Sequence, residues 1–349
     1  MLSGGKLFDE GMYGCIFTPP LECKNKPKKQ LEESDFPPLS KLILKDAAEH
    51  EYAISKVIRQ IPLWKNYFVV SESICEPAPK QKDKELYDCP VLEDHKLSDF
   101  KILTMPYGGI PLNVYRINIK NFEFMDFVVH FIESVALLNL FGIVHRDIHQ
   151  GNILVDENQV PRIIDFNLAI PVQSDITERK LKHTYSVVTA QEPPDSTLVN
   201  AIRLGYDSQR VIDSIIDKKP IMRKIRNILA ISAEQQRTSL ERYYNDSKSV
   251  KTGDAVKWFN SYWRTIDSWA VGVNIIDLIS KLSLWPEFSS TLKKAGGALY
   301  PILRRLCEVN PSRRIDCVQA LNYLKPTSFI IRKYGKAWLN KVGDGNISN

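Results

Sequence analysis

The spacing of hydrophobic residues differs between the first third of the chain and the rest. Up to residue 110, short apolar runs typical of β-strands alternate with polar segments rich in Pro and Lys, at 23–38 and 75–90, which predict surface loops. One long helix is expected in this part, over 46–59, because Asp46 and Glu49 form a capping signal ahead of apolar residues at helical spacing.

From residue 121 the apolar residues recur with the 3.6-residue period of an amphipathic helix. The segment 100–112 (FKILTMPYGGIPL) predicts a strand that runs into a Pro and a Gly pair, as a hinge would. The pattern predicts an α+β fold, with a small β-rich lobe carrying one long helix and a larger, mainly helical lobe. A chain of 349 residues with 44% hydrophobic content is long enough for both. Helices of the larger lobe are predicted at 124–138, 268–282 and 299–308.

Composition narrows the classes of protein. The six cysteines are scattered without a C-x-x-C pair, so neither a zinc site nor a disulfide framework is indicated and reduced thiols are expected. The best apolar stretch, 128–144, is too interrupted by polar residues to span a bilayer. The N-terminus has no apolar signal core, so a soluble intracellular monomer without membrane contact is expected.

The net charge of +6 is concentrated in one segment. Residues 196–266 contain 13 Lys and Arg against 7 Asp and Glu. This composition suits nucleic-acid binding, but it is more typical of an amphipathic helix with a solvated basic face, which is the favoured interpretation. The cluster of basic residues comprises Lys218, Lys219, Arg223, Lys224 and Arg226.

The stretch IVHRDIHQGNILVD (143–156) places polar residues between two apolar blocks, which predicts a turn held by a rigid frame. Asp147 and Asn152 can face one cleft, the first accepting a proton from a hydroxyl and the second holding a metal ion. A second acid, Asp165, follows two isoleucines in RIIDFNLA. Together the three residues predict a base and a two-ligand Mg²⁺ site, the arrangement that phosphoryl transfer from a nucleotide requires.

These motifs resemble the protein kinase superfamily, whose H-R-D-x-x-x-x-N and D-F-G motifs match 145–152 and 165–167. The resemblance implies a bilobal protein-kinase fold, ATP and Mg²⁺ as cofactors, protein substrates, and Arg146 beside the base. Asn167 replaces the Gly of D-F-G. Asn is the non-glycine residue that best tolerates positive φ, so the backbone role of the glycine can survive. The D-x-H-x-G-N loop is similar to that of haspin-type kinases, so His149 either contacts the transferred phosphate or stabilises the loop.

Two later segments extend the resemblance. TIDSWAVGV (265–273) resembles the D-x-W-x-x-G helix start, which implies that Asp267 caps the catalytic loop. NPSRR (310–314) resembles the D-P-x-x-R signature, which implies that Arg314 pairs with an acid at the end of the activation segment. Asp195 in QEPPDS stands where the family has A-P-E, so a largely buried Asp195–Arg314 ion pair is predicted.

The same resemblance places the nucleotide. LFDEGMYGCIF (7–17) matches the phosphate-covering loop, with Gly11 and Gly14 as its second and third glycines and Asp9 in place of the first. The remaining residues assigned to the nucleotide are Ile16 after this loop, Leu154 under the adenine, and the hinge residues Thr104, Met105 and Tyr107.

The lysine that binds the phosphates is either Lys41 or Lys45, since both are predicted on one face of the strand in LSKLILK. LILK resembles the family's V-A-I-K, which favours Lys45. If Asp46 caps the following helix and Glu49 folds back on it, Glu51 is the carboxylate left for pairing and Lys45 lies against the helix entry. A Lys41–Glu51 pair is therefore favoured, with Lys45 as the alternative.

The resemblance divides the chain into an N-lobe (1–103), a hinge (104–109), a C-lobe (110–335) and a tail (336–349). The basic insert 196–266 would lie beside the substrate groove, where it suits acidic or phosphorylated protein substrates. GMYGCIF, MPYGG and PPD resemble segments of the Ser/Thr kinases of large nucleocytoplasmic DNA viruses. That narrower resemblance implies the host cytoplasm or the virion as location.

Two other functions fit parts of the pattern. Small-molecule kinases of the aminoglycoside or choline type share the Asp-to-Asn spacing, but they usually have Gly before the base, whereas this chain has Arg146. A pseudokinase scaffold is disfavoured because every residue needed for metal binding and proton transfer is present. A Ser/Thr protein kinase is the favoured prediction.

Overall fold

The computed structural model describes most of the chain, namely residues 6–11, 14–24, 38–81, 86, 88–181 and 185–345. The chain divides into two compact units, one comprising Met1–Ile110 and Arg162–Asn167, the other Pro111–Pro161 and Leu168–Asn349. The first unit is rich in β-strands and the second is mainly helical, which confirms the predicted bilobal α+β fold. Within the described residues, no helix combines the length and apolar character that a bilayer crossing requires.

The described residues of the first unit form these strands and α-helices: β1 (Lys6–Gly11), β2 (Gly14–Thr18), β3 (Leu39–Leu44), α1 (Lys45–Ile58), α2 (Trp64–Tyr67), β4 (Ser73–Cys75) and β5 (Phe100–Met105). The strands form one antiparallel sheet in the order β1-β2-β3-β5-β4. One face buries a cluster that includes Phe17, Leu42 and Ile102. A second cluster joins Ile43 and Leu103 to Ala48 of α1. The sheet and α1 therefore share a core, and α1 is the long helix predicted here.

The predicted cap of α1 is wrong. The helix begins at Lys45 with Leu44 as its N-cap, and no side chain caps it. Because β3 runs straight into the helix without a turn, Asp46 already lies in the first helical turn and Glu49 does not fold back on it as a capping partner. Lys45 is consequently not a strand residue and does not share a strand face with Lys41, contrary to the prediction.

Two disulfides tie the first unit together, which corrects the expectation that all six cysteines are reduced. Cys15 pairs with Cys89 and Cys23 pairs with Cys75, across Cα–Cα distances of 6.0 and 5.8 Å. The second bridge lies where the backbone N–H of Lys24 donates to the carbonyl of Glu76 at 2.9 Å. The partners are separated by 74 and 52 residues, so only the folded sheet reveals their proximity. Most of the predicted loop 23–38 lies outside the described residues.

We expect two reactive thiols, Cys307 and Cys317, when the protein is denatured without reductant, and six after reduction. Reduction should lower the free energy of unfolding by about 2–5 kcal/mol for each bridge opened, since each bridge closes a long loop in the unfolded chain. Alkylation followed by mass measurement counts the thiols, and denaturant unfolding with and without reductant measures the stability. Six reactive thiols in the unreduced protein would contradict the two bridges.

The second unit is built from helices: α3 (Phe124–Leu140), α4 (Pro194–Arg203), α5 (Ser208–Lys218), α6 (Pro220–Leu229), α7 (Ala233–Asp246), α8 (Lys248–Lys251), α9 (Ala255–Tyr262), α10 (Ile266–Leu282), α11 (Pro286–Leu306), α12 (Cys317–Leu324) and α13 (Lys336–Val342). The described residues also form short strands along the chain: β6 (Ile110–Pro111), β7 (Ile143–Val144), β8 (Ile153–Val155), β9 (Pro161–Ile163) and β10 (Ile170–Pro171). The predicted helices α3 and α10 are confirmed.

Helix α11 is longer than predicted. It starts at Pro286 instead of residue 299. The prediction began too late because Gly296 and Gly297 indicate a break in a sequence pattern, whereas both lie inside the helix. Gly296 packs against the ring of Tyr300, where a Cβ would be crowded. Close packing therefore accounts for one of the two glycines.

The basic cluster of the segment 196–266 does not form one solvated face. Lys218 ends α5 and Arg223 lies on α6, and both are exposed. Lys219, between these helices, is 1% exposed, with its Nζ 3.4 Å from Thr197 Oγ1. Burial lowers the pKa of Lys219 to about 8, although Glu192 favours its charged form. Lys224 is paired with Asp277 of α10, and Arg226 donates to the carbonyl of Ile216 at 2.9 Å and to Gln236 at 3.2 Å.

Candidate active site

The loop that contains Asp147 is hydrogen-bonded to helix α10. Asp267, buried in its first turn, accepts hydrogen bonds from the backbone N–H groups of His145 at 2.6 Å and Arg146 at 2.8 Å. The predicted cap of this loop is confirmed. Burial raises the pKa of Asp267 above its ordinary value, while the charge of His145 and these backbone donors oppose the rise. Asn274, two turns along the same face, donates to the carbonyl of Ile148 at 2.9 Å. The loop is thus fixed at several points to a rigid helix.

Arg146 supports the loop backbone instead of projecting into solvent. Its φ is 71°, a conformation that L-residues rarely adopt, and its Nη1 donates to the carbonyl of Lys180 at 2.8 Å. Burial lowers the pKa of Arg146 to about 10, with Asp267, Glu192 and Asp147 favouring the charged form. Arg146 therefore links the loop to the segment that follows β10.

The carboxylate of Asp147 is held from both sides. Oδ1 accepts a hydrogen bond from Gln191 Nε2 at 3.0 Å. Oδ2 lies 3.5 Å from Asn152 Nδ2 and 3.8 Å from His149 Nε2. The side chain is partly exposed, so these donors orient it without sealing it from a reacting hydroxyl. Gln191 was missed in the sequence, because a Gln ahead of the PPD segment matches no motif.

Asn152 is oriented by its own loop. It lies in a 3-10 turn, Gln150–Asn152, and its Nδ2 donates to the backbone carbonyl of Asp147 at 3.0 Å. Because the amide nitrogen of Asn152 donates to this carbonyl, its amide oxygen is directed away from it. An amide oxygen and a carboxylate such as that of Asp165 are the hard oxygen donors that Mg²⁺ prefers, so the residue types fit this ion.

The ring of His149 makes a hydrogen bond within its own loop, and its predicted contact with the transferred phosphate stays a prediction. Its Nδ1 accepts a hydrogen bond from the backbone N–H of Gly151 at 3.0 Å, which leaves Nε2 as the ring nitrogen nearer Asp147. A Cβ on Gly151 would come within 2.8 Å of the His149 ring. Glycine at this position therefore makes room for the imidazole.

In the first unit, Lys41 lies between two carboxylates. Its Nζ is 2.9 Å from Glu51 Oε2 and 3.0 Å from Asp165 Oδ1. Although burial alone would lower it, the pKa of Lys41 is raised above its ordinary value by these carboxylates, so the amine stays charged. The predicted Lys41–Glu51 pair is present, whereas Lys45 is exposed at the start of α1. Which lysine binds phosphate stays a prediction.

The backbone after Asp165 differs from the expectation. The positive φ lies at Asp165 itself, at 63°, and not at Asn167. Asn167 falls in a 3-10 turn, Phe166–Leu168, whose dihedrals suit any residue. The ring of Phe166 packs edge-on against Phe68 at 5.9 Å and anchors this turn. The expectation that Asn167 keeps a positive-φ backbone role of the family's glycine is therefore wrong.

The glycines of the predicted phosphate-covering loop face each other across β1 and β2. Gly11 pairs with Gly14, while residues 12 and 13 at the tip lie outside the described residues, as do the side chains of 6–11, including Asp9. A Cβ on Gly14 would collide with the carbonyl oxygen of Leu42 on β3, so only glycine fits. Ile16 is paired directly with Lys41 and so shares its face of the sheet.

The hinge residues have separate environments. Thr104 bonds to Ser73 through their hydroxyls, and Met105 ends β5 and packs on the Ile43 cluster. Tyr107 lines a cavity of about 230 Å³ in the first unit. Leu154, on β8, is buried in the second unit. Their predicted contacts with adenine remain predictions.

The predicted Asp195–Arg314 ion pair is confirmed and is fully buried. Arg314 Nη2 lies 2.6 Å from Asp195 Oδ1, and both side chains are 0% exposed. Asp195 also accepts from Trp258 Nε1 at 3.0 Å, and Arg314 Nε donates to the carbonyl of Glu308 at 2.8 Å. The pair joins the start of α4 to the segment before α12.

We expect Arg314→Ala to lower the free energy of unfolding by about 3–5 kcal/mol, because it leaves the Asp195 carboxylate buried without its counter-charge. The neighbouring Arg313→Ala is the matched control, since Arg313 is exposed and its loss should change stability by about 0.5 kcal/mol or less. Denaturant unfolding of both variants measures the difference. Equal stabilities would refute a structural role for the pair.

Comparison with known protein families agrees with the geometry. Residues 92–193, less than a third of the chain, match the model of the protein tyrosine and serine/threonine kinase family. The match includes the catalytic loop and Asp165, and it supports a protein kinase without distinguishing Ser/Thr from Tyr specificity. No curated protein matches the chain.

Proposed function

We propose that the protein transfers the γ-phosphoryl group of ATP to Ser and Thr hydroxyls of protein substrates. In this proposal Asp147 is the general base, Asn152 and Asp165 are the ligands of Mg²⁺, and Lys41 binds the phosphates. The observation that supports it best is the position of Lys41 on β3, within hydrogen-bonding distance of Glu51 of α1 and of Asp165. A strand lysine paired with a helix glutamate beside the metal-binding aspartate is the arrangement that active protein kinases require.

Asp147 would accept the proton of the substrate hydroxyl. Gln191 and Asn152 donate toward different oxygens of its carboxylate, which fixes the direction in which a lone pair faces the hydroxyl. The backbone around it is fixed by Asp267, so the base does not need to reorganise during the reaction. Positioned general bases of this kind typically contribute about 10²–10⁴-fold to the rate.

The phosphates would be bound by positive charge. The ammonium group of Lys41 carries that charge because two carboxylates favour it, and Gly14 allows the covering strand to lie close to β3. Mg²⁺, when bound by the oxygens of Asn152 and Asp165, would neutralise negative charge on the phosphates.

A protein acceptor is preferred over a small molecule for two reasons. Arg146 stands before the base and is built into the fold through Lys180, and the activation segment is tied down by the buried Asp195–Arg314 pair. Ser/Thr specificity rests on the resemblance of GMYGCIF, MPYGG and PPD to segments of the Ser/Thr kinases of large nucleocytoplasmic DNA viruses. A pseudokinase scaffold stays disfavoured, because the residues needed for transfer are all present.

The location follows from the narrower resemblance, which we also propose. If the protein belongs with the kinases of large DNA viruses, it acts in the host cytoplasm or in the virion. Disulfides persist in oxidising environments and on virion surfaces, and they are rare in the cytosol. The two bridges of the first unit therefore favour the virion.

A panel of acceptors tests the proposal. The purified protein would be incubated with labelled ATP and Mg²⁺ and, in parallel, with Ser/Thr-containing proteins, a Glu/Tyr copolymer, an aminoglycoside and choline. We expect label on the Ser/Thr proteins alone. Label on the copolymer would move the assignment to tyrosine, and label on a small molecule alone would replace the protein kinase by the small-molecule alternative.

A further inference from the structure

A second site lies in the helical unit, away from Asp147. Helices α7 and α11 and the segment 307–313 enclose a groove of about 1050 Å³. Among the described residues, those that contact the Asp147 carboxylate do not line this groove. Its walls include the aromatic rings of Tyr300 and Tyr323 and the aliphatic side chains of Ile231 and Val309. The groove is therefore large enough for a short peptide segment with side chains of several kinds.

The charge of this groove is predominantly positive. Two acids also line it, but Glu308 already accepts hydrogen bonds from Ser239 Oγ at 2.7 Å and from the backbone N–H of Asn310 at 3.2 Å. Glu234 is exposed, with Thr238 Oγ1 at 3.4 Å. The basic residues of the lining are all arginines: Arg242, Arg304, Arg305 and Arg313.

The described residues leave most of this arginine charge without a neutralising carboxylate. Within the described part of the chain, the guanidinium groups of Arg304 and Arg313 make no hydrogen bond or ion pair. Arg242 has one long, exposed ion pair, with Asp246 at 3.9 Å. Arg305 donates through Nη2 to the carbonyl of Gly345 at 2.9 Å. Burial lowers the pKa of Arg305 and the charge of Arg313 lowers it further, although Glu308 opposes them. Like charges lie side by side here.

Two buried donors at the groove also lack acceptors. Arg305 Nε and Gln236 Nε2 make no hydrogen bond within the described residues. The oxygen of the Gln236 amide accepts from Arg226 at 3.2 Å, so the NH₂ end is the unsatisfied one. A buried donor without a partner is costly, and the cost is recovered when a ligand supplies acceptor oxygens. Donors and excess positive charge together indicate an anionic ligand.

We propose that this groove binds a phosphorylated segment of a protein substrate, an inference that rests on the proposed kinase function. A phosphate has the geometry that arginine forks recognise with paired hydrogen bonds. A continuous polyanion such as RNA is disfavoured, because Glu234 and Glu308 interrupt the basic lining and would repel its backbone. The tyrosines and aliphatic residues accommodate the peptide on either side of the phosphate. Substrates already phosphorylated at one residue would thus be captured for phosphorylation at another.

Binding to the full-length Asp147→Asn protein tests the groove without any turnover. The probes are two fluorescent Gly/Ala/Ser peptides that differ only in carrying phosphoserine or serine. We expect the phosphopeptide to bind about tenfold more tightly, and Arg304→Glu with Arg313→Glu to remove that difference. Lys293→Glu with Lys294→Glu is the matched control, since these residues are exposed on α11 outside the groove. The control should retain the preference.

Further arms identify the ligand class. Inorganic phosphate should displace the fluorescent phosphopeptide far less well than unlabelled phosphopeptide does. A single-stranded RNA should displace it no better than inorganic phosphate does. The proposal would be overturned by equal affinity for the two peptides or by an unchanged preference in the arginine variant. Competition by phosphate or RNA as strong as that by the unlabelled phosphopeptide would also overturn it. Because binding is measured with the Asp147→Asn protein, failure of the kinase assignment leaves this result interpretable. The arginine variant should phosphorylate an acceptor without phosphate as fast as the unmodified protein does.

Discussion

Asp147→Asn should reduce the rate constant of phosphoryl transfer by about 10²–10⁴-fold, because the amide cannot accept the proton of the attacking hydroxyl. Asp165→Asn should cause a loss of similar size, since it removes a charged metal ligand and one carboxylate partner of Lys41. Steady-state turnover on a Ser-containing protein measures both. The pattern across the two variants separates the proton acceptor from the metal site, because only the second loss should shrink as the Mg²⁺ concentration is raised.

The controls are chosen to match in charge and to preserve the fold. Asp94→Asn changes an exposed carboxylate of the first unit and Asp175→Asn an exposed carboxylate of the second, and neither should alter turnover. Thermal unfolding of every variant shows whether a loss of activity follows from a loss of structure. Near-normal turnover of a folded Asp147→Asn protein would remove Asp147 as the base.

Lys41→Ala should lower turnover by about a hundredfold or more, whereas Lys45→Ala should leave most activity. Lys41 is buried and bonded to Glu51 and Asp165, so its loss removes the positive charge that would bind the phosphates. Lys45 is exposed at the first position of α1 and makes no side-chain hydrogen bond or ion pair within the described residues. The two variants thus control for each other.

The affinity for ATP adds a second readout. Lys41→Ala should weaken nucleotide binding as well as turnover. Glu51→Gln keeps the Lys41 ammonium group but removes the negative charge of its ion-pair partner. The reverse pattern, with Lys45→Ala inactive and Lys41→Ala active, would transfer the phosphate-binding role to Lys45. It would also mean that the observed Lys41–Glu51 pair has only a structural role.

Several contacts were predictable because a motif fixes both ends of them. Asp267 and the catalytic loop, Asp195 and Arg314, and Lys41 and Glu51 come together as the sequence predicted. The first two contacts join residues 122 and 119 positions apart, so spacing alone could not have found them, whereas Lys41 and Glu51 are 10 positions apart. The resemblance to kinases supplied the connection, and the hydrophobic pattern supplied the fold class.

Other features depend on packing that no local pattern records. The disulfide Cys15–Cys89 requires β2 to lie against a loop 74 residues away. Lys219 is buried between α5 and α6, although its place in a run of basic residues predicted a solvated side chain. Asp46 is a residue type that caps helices, but it lies inside the first turn of α1 because β3 leads directly into that helix. Gln191 belongs to no motif and is recognised only by its contact with Asp147.

Mg²⁺-dependent transfer of label from γ-labelled ATP to a protein acceptor is the measurement that decides whether the protein is a Ser/Thr kinase. The acceptor would be recovered, hydrolysed in acid and separated into its phosphoamino acids. We expect phosphoserine and phosphothreonine when Mg²⁺ is present and no label when the metal is chelated. Absence of protein-bound label from the folded protein with ATP and Mg²⁺ would contradict the proposed kinase function.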